Sequence, residues 1–286
     1  MRIDIDNLKV AYGETVAIDS LSLRLDTGKI YGLLGRNGAG KTSLLSVLAG
    51  FRRHSGGTVL ADDSPIFENW LTTREISLIR DAGETVNLGT VEDALYFAED
   101  VRPRWDAAYA QELIDLFKLD RKKNVKSMSK GQRSAVGVVV GLASRAPLTM
   151  FDESYLGMDA PSRQAFYDAL LADFMAHPRT IILSTHLIEE VSSLFEEVVI
   201  IDKGRLVVHS PADELLAMGS AVTGPAEQVE EFTRDLTVLG SKQLGPTRSV
   251  MVYGPLDHAE ARKAGLETGP IAMQELFIHL TGGPAS

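Results

Sequence analysis

Glycine, four residues, then glycine, lysine and threonine stand at Gly35, Gly40, Lys41 and Thr42, inside GLLGRNGAGKTSLL. Glycines let backbone N–H groups curl around phosphate oxygens with no Cβ in the way. The preceding KIYGLLG reads as a strand, and KTSLLSVLA reads as a helix closed by Gly50. That is the setting a phosphate-binding loop requires, because a helix N-terminus adds partial positive charge. On this reading Asn37, Gly38, Ala39, Gly40, Lys41, Thr42 and Ser43 surround a nucleotide's phosphates. Lys41 reaches the β/γ oxygens and Thr42 places its hydroxyl on Mg²⁺. A second constellation is Asp152–Glu153, at the end of the apolar run Leu148–Phe151. Adjacent carboxylates at the tip of a buried strand repel each other and resist desolvation, so something cationic or wet must face them. Opposite a phosphate loop, Asp152 suits the Mg²⁺ ion, and Glu153 suits a base that orients the attacking water.

These residues need a scaffold, and its pattern is visible. Residues 1–34 alternate as strands with breaks at Tyr12-Gly13 and Thr27-Gly28, which suggests an antiparallel annex. Residues 85–127 have helical periodicity, and 133–144 form an apolar helix. PLTMFDE and TIILSTH read as strands flanking a helix at 161–176, and EEVVIIDKGRLVVHS as a hairpin turning at Lys203-Gly204. Apolar strands alternating with helices predict an α/β fold with a mainly parallel sheet, covered on both faces. A composition break at 219–225 precedes a new pattern: a helix at 226–236, strands at 237–243 and 248–253, and helices at 258–264 and 272–280. The expected division is 1–218, with a helical subdomain at about 85–135, and a small α+β appendage at 219–286.

Composition narrows the partners. The 286 residues carry a net charge of −10, which repels a phosphate backbone, so no nucleic acid is expected. There is no cysteine, which excludes disulfides and thiolate metal sites. No signal peptide and no apolar stretch of membrane-spanning length is visible, so any membrane role would run through a partner.

In order and spacing these motifs resemble the ATP-binding subunits of ABC transporters over about residues 1–218. GRNGAGKT looks like Walker A, and LTMFD followed by Glu153 looks like Walker B. SMSKGQR looks like the signature, GMD at 157–159 like the D-loop, and STH at 184–186 like the switch. The resemblance implies a P-loop ABC ATPase fold, ATP and Mg²⁺ as cofactors, and His186 as a γ-phosphate contact. It implies Tyr12 as an adenine-stacking aromatic, with a packing role as the alternative. Ser129, Gly131 and Gln132, with Asp159, would complete the nucleotide site of a second subunit in a head-to-tail homodimer. Three positions depart from the family pattern. Lys130 replaces a signature glycine, and Ser154-Tyr155 replace Pro-Thr. Asp81 stands where the Q-loop glutamine belongs, with Glu84 competing for the place. A carboxylate there still meets Mg²⁺ or water but donates no hydrogen bond.

VRPRWD, KSMSKGQ and the closing MQELFIHLTGG are similar to the branch that serves ABC-2-type exporters, including those of antibiotic resistance and envelope stress. That implies a separate multi-span permease and a cytoplasmic, peripheral location. Phe97, Trp105 and Tyr109 are possible permease contacts or core aromatics. A soluble ABC ATPase acting on ribosomes or DNA, an importer ATPase and a phosphate-loop kinase are the alternatives. The last would leave SKGQ, GMD and STH unexplained.

Overall fold

The computed structural model describes residues 1–80 and 89–282. Near the start, Gly13 at φ 60° turns β1 (Ile3–Tyr12) into β2 (Thr15–Leu25). β4 (Gly56–Ala61) pairs with the other edge of β1, and the two-residue β5 (Ser64–Pro65) follows it, so the first sheet runs β2-β1-β4-β5 and is antiparallel throughout. Between β2 and β4 the chain dives inward as β3 (Ile30–Leu34) and returns as α1 (Lys41–Leu48).

A second sheet takes β3 as a central member. Its order is β10-β9-β3-β8-β7-β6, with β6 (Ile76–Arg80), β7 (Leu148–Asp152), β8 (Thr180–Ser184) and β9 (Glu197–Asp202) all parallel to β3's direction. Among the described residues only β10 (Arg205–Pro211) runs antiparallel in this sheet, on β9. Every residue of β3, β7 and β8 is buried, as expected of strands covered on both faces. Successive side chains serve opposite cores: Met150 and Ile182 face the core of α1 and the first sheet, while Phe151 and Leu183 face the helical one. That helical side includes α3 (Val91–Val101), α4 (Ala107–Leu116), α5 (Lys130–Ala143) and α6 (Ala160–Ala176). Three short helices complete this part: α2 (Trp70–Thr73) before β6, α7 (Ile188–Val191) after β8 and α8 (Ala212–Ala217) after β10.

The remaining elements are β11 (Gly219–Pro225), α9 (Ala226–Phe232), β12 (Thr237–Leu244), β13 (Thr247–Tyr253), α10 (His258–Lys263), β14 (Glu267–Pro270) and α11 (Met273–Leu280). The strands form a third sheet in the order β12-β13-β11-β14, antiparallel throughout. Up to β14 this is a split βαβ arrangement of the β-α-β-β-α-β kind. Val222, Val250 and Val252 meet Val229 and Ala261 of the two covering helices in a small core of their own. On the other face Met251 and Ile271 join Met273 and Leu276 of α11 in the main helical core. The helices and hairpin expected here stand within a few residues of their observed limits. β11 and β14 were not anticipated: β11 occupies the stretch whose glycine and proline ends read as a break.

Candidate functional site

Parallel pairing decides where the chemistry gathers. Arg80, Asp152 and Ser184 are in register across β6, β7 and β8, so the loops after β7 and β8 emerge at one edge of the sheet, beside the loop after β3. Carboxyl ends of parallel strands are where open α/β sheets bind ligands.

The loop from β3 to α1 lines a cavity of about 380 Å³ with its residues 36–43, together with Ala17 and Glu153. Its glycines are there for two different reasons. At Gly40, φ is 106° and a Cβ would stand 2.6 Å from the carbonyl oxygen of Ala17. At Gly35 a Cβ would stand 2.7 Å from the carbonyl oxygen of Ile201. Gly40 also offers α1 no side-chain cap, which leaves first-turn amides for an anion. Lys41 folds back over the loop. Its Nζ donates to the carbonyl of Gly35 at 2.6 Å and lies 3.9 Å from Glu153 Oε1. Only 6% of the residue is exposed, and burial lowers its pKa from the ordinary lysine range, against the opposing pull of Glu153 and then Asp152.

The two adjacent carboxylates have different surroundings. Asp152 ends β7 with a residue exposure of 6%, and among the described residues no hydrogen bond reaches its carboxylate. Glu153 takes a left-handed backbone at φ 52°, and its N–H donates to the carbonyl of Ser184 at 3.1 Å. Its Oε1 then faces both Lys41 and, at 3.3 Å, Nδ1 of His186. Thus Asn37 to Ser43, Glu153 and His186 come together, with Asp152 beside them.

Tyr12 meets this group through Ser43, hydroxyl to hydroxyl at 3.3 Å. One ring face already carries a cation, since Arg52 Cζ sits 3.6 Å from the centroid. Arg52 is held there by a 2.6 Å bond to the carbonyl of Ala11. Arg36 also lines the cavity and was passed over in the sequence, although it sits inside the glycine loop.

Ser129, Gly131, Gln132 and Asp159 do not line the cavity. Ser129 caps α5 and Gln132 completes the capping box. Asp159 caps α6 by accepting from the N–H of Ser162 at 2.9 Å. The start of α5 touches the turn before α6, because a Cβ on Gly131 would stand 2.8 Å from the carbonyl oxygen of Gly157. Asp81 and Glu84 lie outside the described residues.

The donor set fits a triphosphate with its cation: an open loop, uncapped amides and one buried ammonium. Among the described residues no cluster of three His, Asp or Glu side chains could hold a metal alone. Thr42 and Asp152 would therefore hold Mg²⁺ only with phosphate oxygens and water, as is usual for that ion.

Known proteins agree with this geometry. The ABC transporter family model matches residues 18–155. The methionine import ATP-binding protein MetN of Mesorhizobium japonicum is 31% identical over 98% of this chain and 85% of its own length. The daunorubicin resistance ATP-binding protein DrrA3 of Streptomyces coeruleorubidus is 28% identical over 98% of this chain and 96% of its own. In three dimensions an ATP-binding subunit of an ABC transporter superposes with a TM-score of 0.68 at 22% identity, covering 75% of this chain and 92% of that one. Phosphate loop, paired acids, the histidine beside them and end-to-end similarity converge: the chain belongs to the ABC transporter family, as an ATP-hydrolysing subunit that uses ATP and Mg²⁺.

Proposed function

We propose that this chain powers an ABC-2-type exporter of a drug, antibiotic or envelope-related compound, with a separate multi-span permease as its partner. The observation that carries the direction is the end-to-end match to relatives named for drug resistance or export. DrrA3, of daunorubicin resistance, is one. The Nod factor export ATP-binding protein I of Cupriavidus metallidurans, 25% identical over 98% of this chain and 97% of its own length, is another. Import is the second reading, favoured by the higher identity to MetN.

In the proposed cycle Lys41 and the amides of residues 38–43 hold the phosphates, and Tyr12 offers adenine its ring face away from Arg52. Mg²⁺, when bound, supplies charge neutralisation at the β and γ oxygens. Glu153 accepts the proton of the attacking water, and His186 orients Glu153 and meets the γ-phosphate. Ser129, Gly131 and Gln132, with Asp159, stand on another surface and serve the nucleotide of a second copy, so two chains close head to tail. Residues 1–218 form the ATPase unit and 219–286 a small α+β unit. Among the described residues no helix is long and apolar enough to cross a membrane. Peripheral attachment to the inner face of the membrane, through the permease, follows from the proposal. Of the three aromatics considered for that contact, Phe97 is 52% exposed, next to Tyr96 at 57%. Trp105 and Tyr109 pack against the core, and Tyr109 donates to the carbonyl of Ala169 at 3.2 Å. The permease contact therefore centres on α3.

Affinity purification from detergent-solubilised native membranes, read by mass spectrometry, tests the partner. A stoichiometric multi-span protein is expected, and transport by inverted vesicles containing both chains gives the direction. Recovery with ribosomes, or solute movement inward, would reject export.

A further inference from the structure

One side chain ties the two halves of the hydrolytic pair together from behind. Arg163, in the first turn of α6, uses three nitrogens. Nε and Nη2 form a fork on the Glu190 carboxylate at 2.9 and 2.8 Å, and Nη1 donates to the carbonyl of Met158 at 2.9 Å. Glu190 lies in α7, four residues after His186, and the buried Ile188 and Val191 seat that helix. Met158 closes the turn that begins at Glu153. Leu156 N–H bonds to the carbonyl of Glu153 at 3.2 Å, and Met158 N–H to that of Tyr155 at 3.1 Å. Tyr167, one turn further along α6, brings its hydroxyl to 3.4 Å from Glu190 Oε2. The fork holds Glu190 below the usual carboxylate range and raises the Arg163 guanidinium. The Arg163 side chain is 17% exposed, so water competes little for its planar, bidentate geometry.

We propose that Arg163 is a positioning residue for ATP hydrolysis: by gripping the Met158 carbonyl and Glu190 at once, it sets the distance between Glu153 and His186. The inference rests on the roles given above to Glu153 and His186. Without the grip, the Glu153 N–H still bonds to the Ser184 carbonyl at the strand ends, but the turn after the base and the helix after the histidine are no longer held to each other. The 3.3 Å contact between Glu153 and His186 is then lost, while the phosphate loop is untouched. A lysine is no substitute, since a point charge reaches one partner but not both.

The test compares Arg163→Gln, Arg163→Lys, Glu190→Gln, the double glutamine variant and His186→Ala. Each is assayed for Mg-ATP turnover, for binding of a fluorescent ATP analogue and for thermal melting. The expected result for Arg163→Gln and Arg163→Lys is a kcat lowered about tenfold with KM within about twofold of the parent, as for a misplaced catalytic group. Glu190→Gln falls in the same direction, and the double variant is no slower than Arg163→Gln, because both changes break one device. Glu190 is approached from the partly exposed side, so it reports even where an Arg163 variant folds poorly. Full turnover in folded Arg163→Gln alongside a crippled His186→Ala overturns the grip alone. Losses that multiply in the double variant overturn it too. Full turnover in His186→Ala overturns both the site assignment and the grip.

Discussion

Glu153 holds a backbone conformation that costs a non-glycine residue about 1–2 kcal/mol. The strain accompanies a Glu153 side chain that lines the cavity, which Asp152 does not. Glu153→Gly is expected to melt no lower than the parent, because glycine accepts φ 52° freely, yet to lose turnover at least about a hundredfold. Glu153→Gln should bind Mg-ATP and accumulate as a closed dimer in size-exclusion chromatography; unimpaired hydrolysis by either variant removes Glu153 from the base role. Lys41 gives a pH prediction. In the free protein burial depresses its pKa, so its proton leaves at a lower pH than in the unfolded chain. Its charge therefore destabilises the free fold at neutral pH, and that penalty fades as pH rises through the depressed pKa towards the ordinary lysine value. Phosphate oxygens would raise the pKa again. Calorimetric titration with ATP at alkaline pH should then show proton uptake, absent in Lys41→Ala, whose turnover is also lost. Spacing made the phosphate loop and the paired acids legible, because they are local. The stacking of Arg52 on Tyr12 was not, since some forty residues of chain separate the two.

At the scale of elements, the departure at Ser154-Tyr155 acquires a physical account. Tyr155 is fully buried and sits in an aromatic cluster with Phe166 at 5.1 Å and Tyr167 at 5.6 Å between ring centroids. Its buried hydroxyl makes no hydrogen bond among the described residues, although Thr185 lies nearby. The ring is therefore a wedge between α6 and the strand ends that carry the site. Tyr155→Phe is expected to change stability by less than about 1 kcal/mol, because no well-made bond is lost. Tyr155→Thr, the family's usual residue, should cost about 3 kcal/mol in urea unfolding by opening a cavity. A neutral Tyr155→Thr would contradict the wedge. Strands were readable where burial on both faces wrote continuous apolar runs, as in β3, β7 and β8. β6 was not, because its apolar residues are broken by Ser77 and stand between the polar run Thr72–Glu75 and Arg80. β11 was hidden by its own glycines and proline, and only pairing with β13 and β14 makes it a central strand.

For the whole molecule, the third sheet is joined to the site region by α11. That helix packs against α7, and its Leu276 is fully buried in the same core as Ile188 and Val191. Leu276→Ala should lower stability by about 2–5 kcal/mol. It should also reduce turnover more than ATP binding, because α7 follows His186 directly while the phosphate loop lies elsewhere. Equal losses in both assays would show that α11 has only a general structural role. Sequence periodicity located most elements of this region but not its dependence on the switch segment, since amphipathic patterning shows that a helix has an apolar face and not what the face meets.

The position of α11 along the chain has a consequence in time. Roughly 85 residues separate Ile188 from Met273, and at about 5–20 residues per second these take on the order of ten seconds to emerge from a ribosome. During that interval the glycine loop and its sheet can already be complete, while Ile188 and Val191 wait without their cover. Synthesis therefore orders the two capacities: a nascent copy is ready to capture nucleotide before it is ready to spend it.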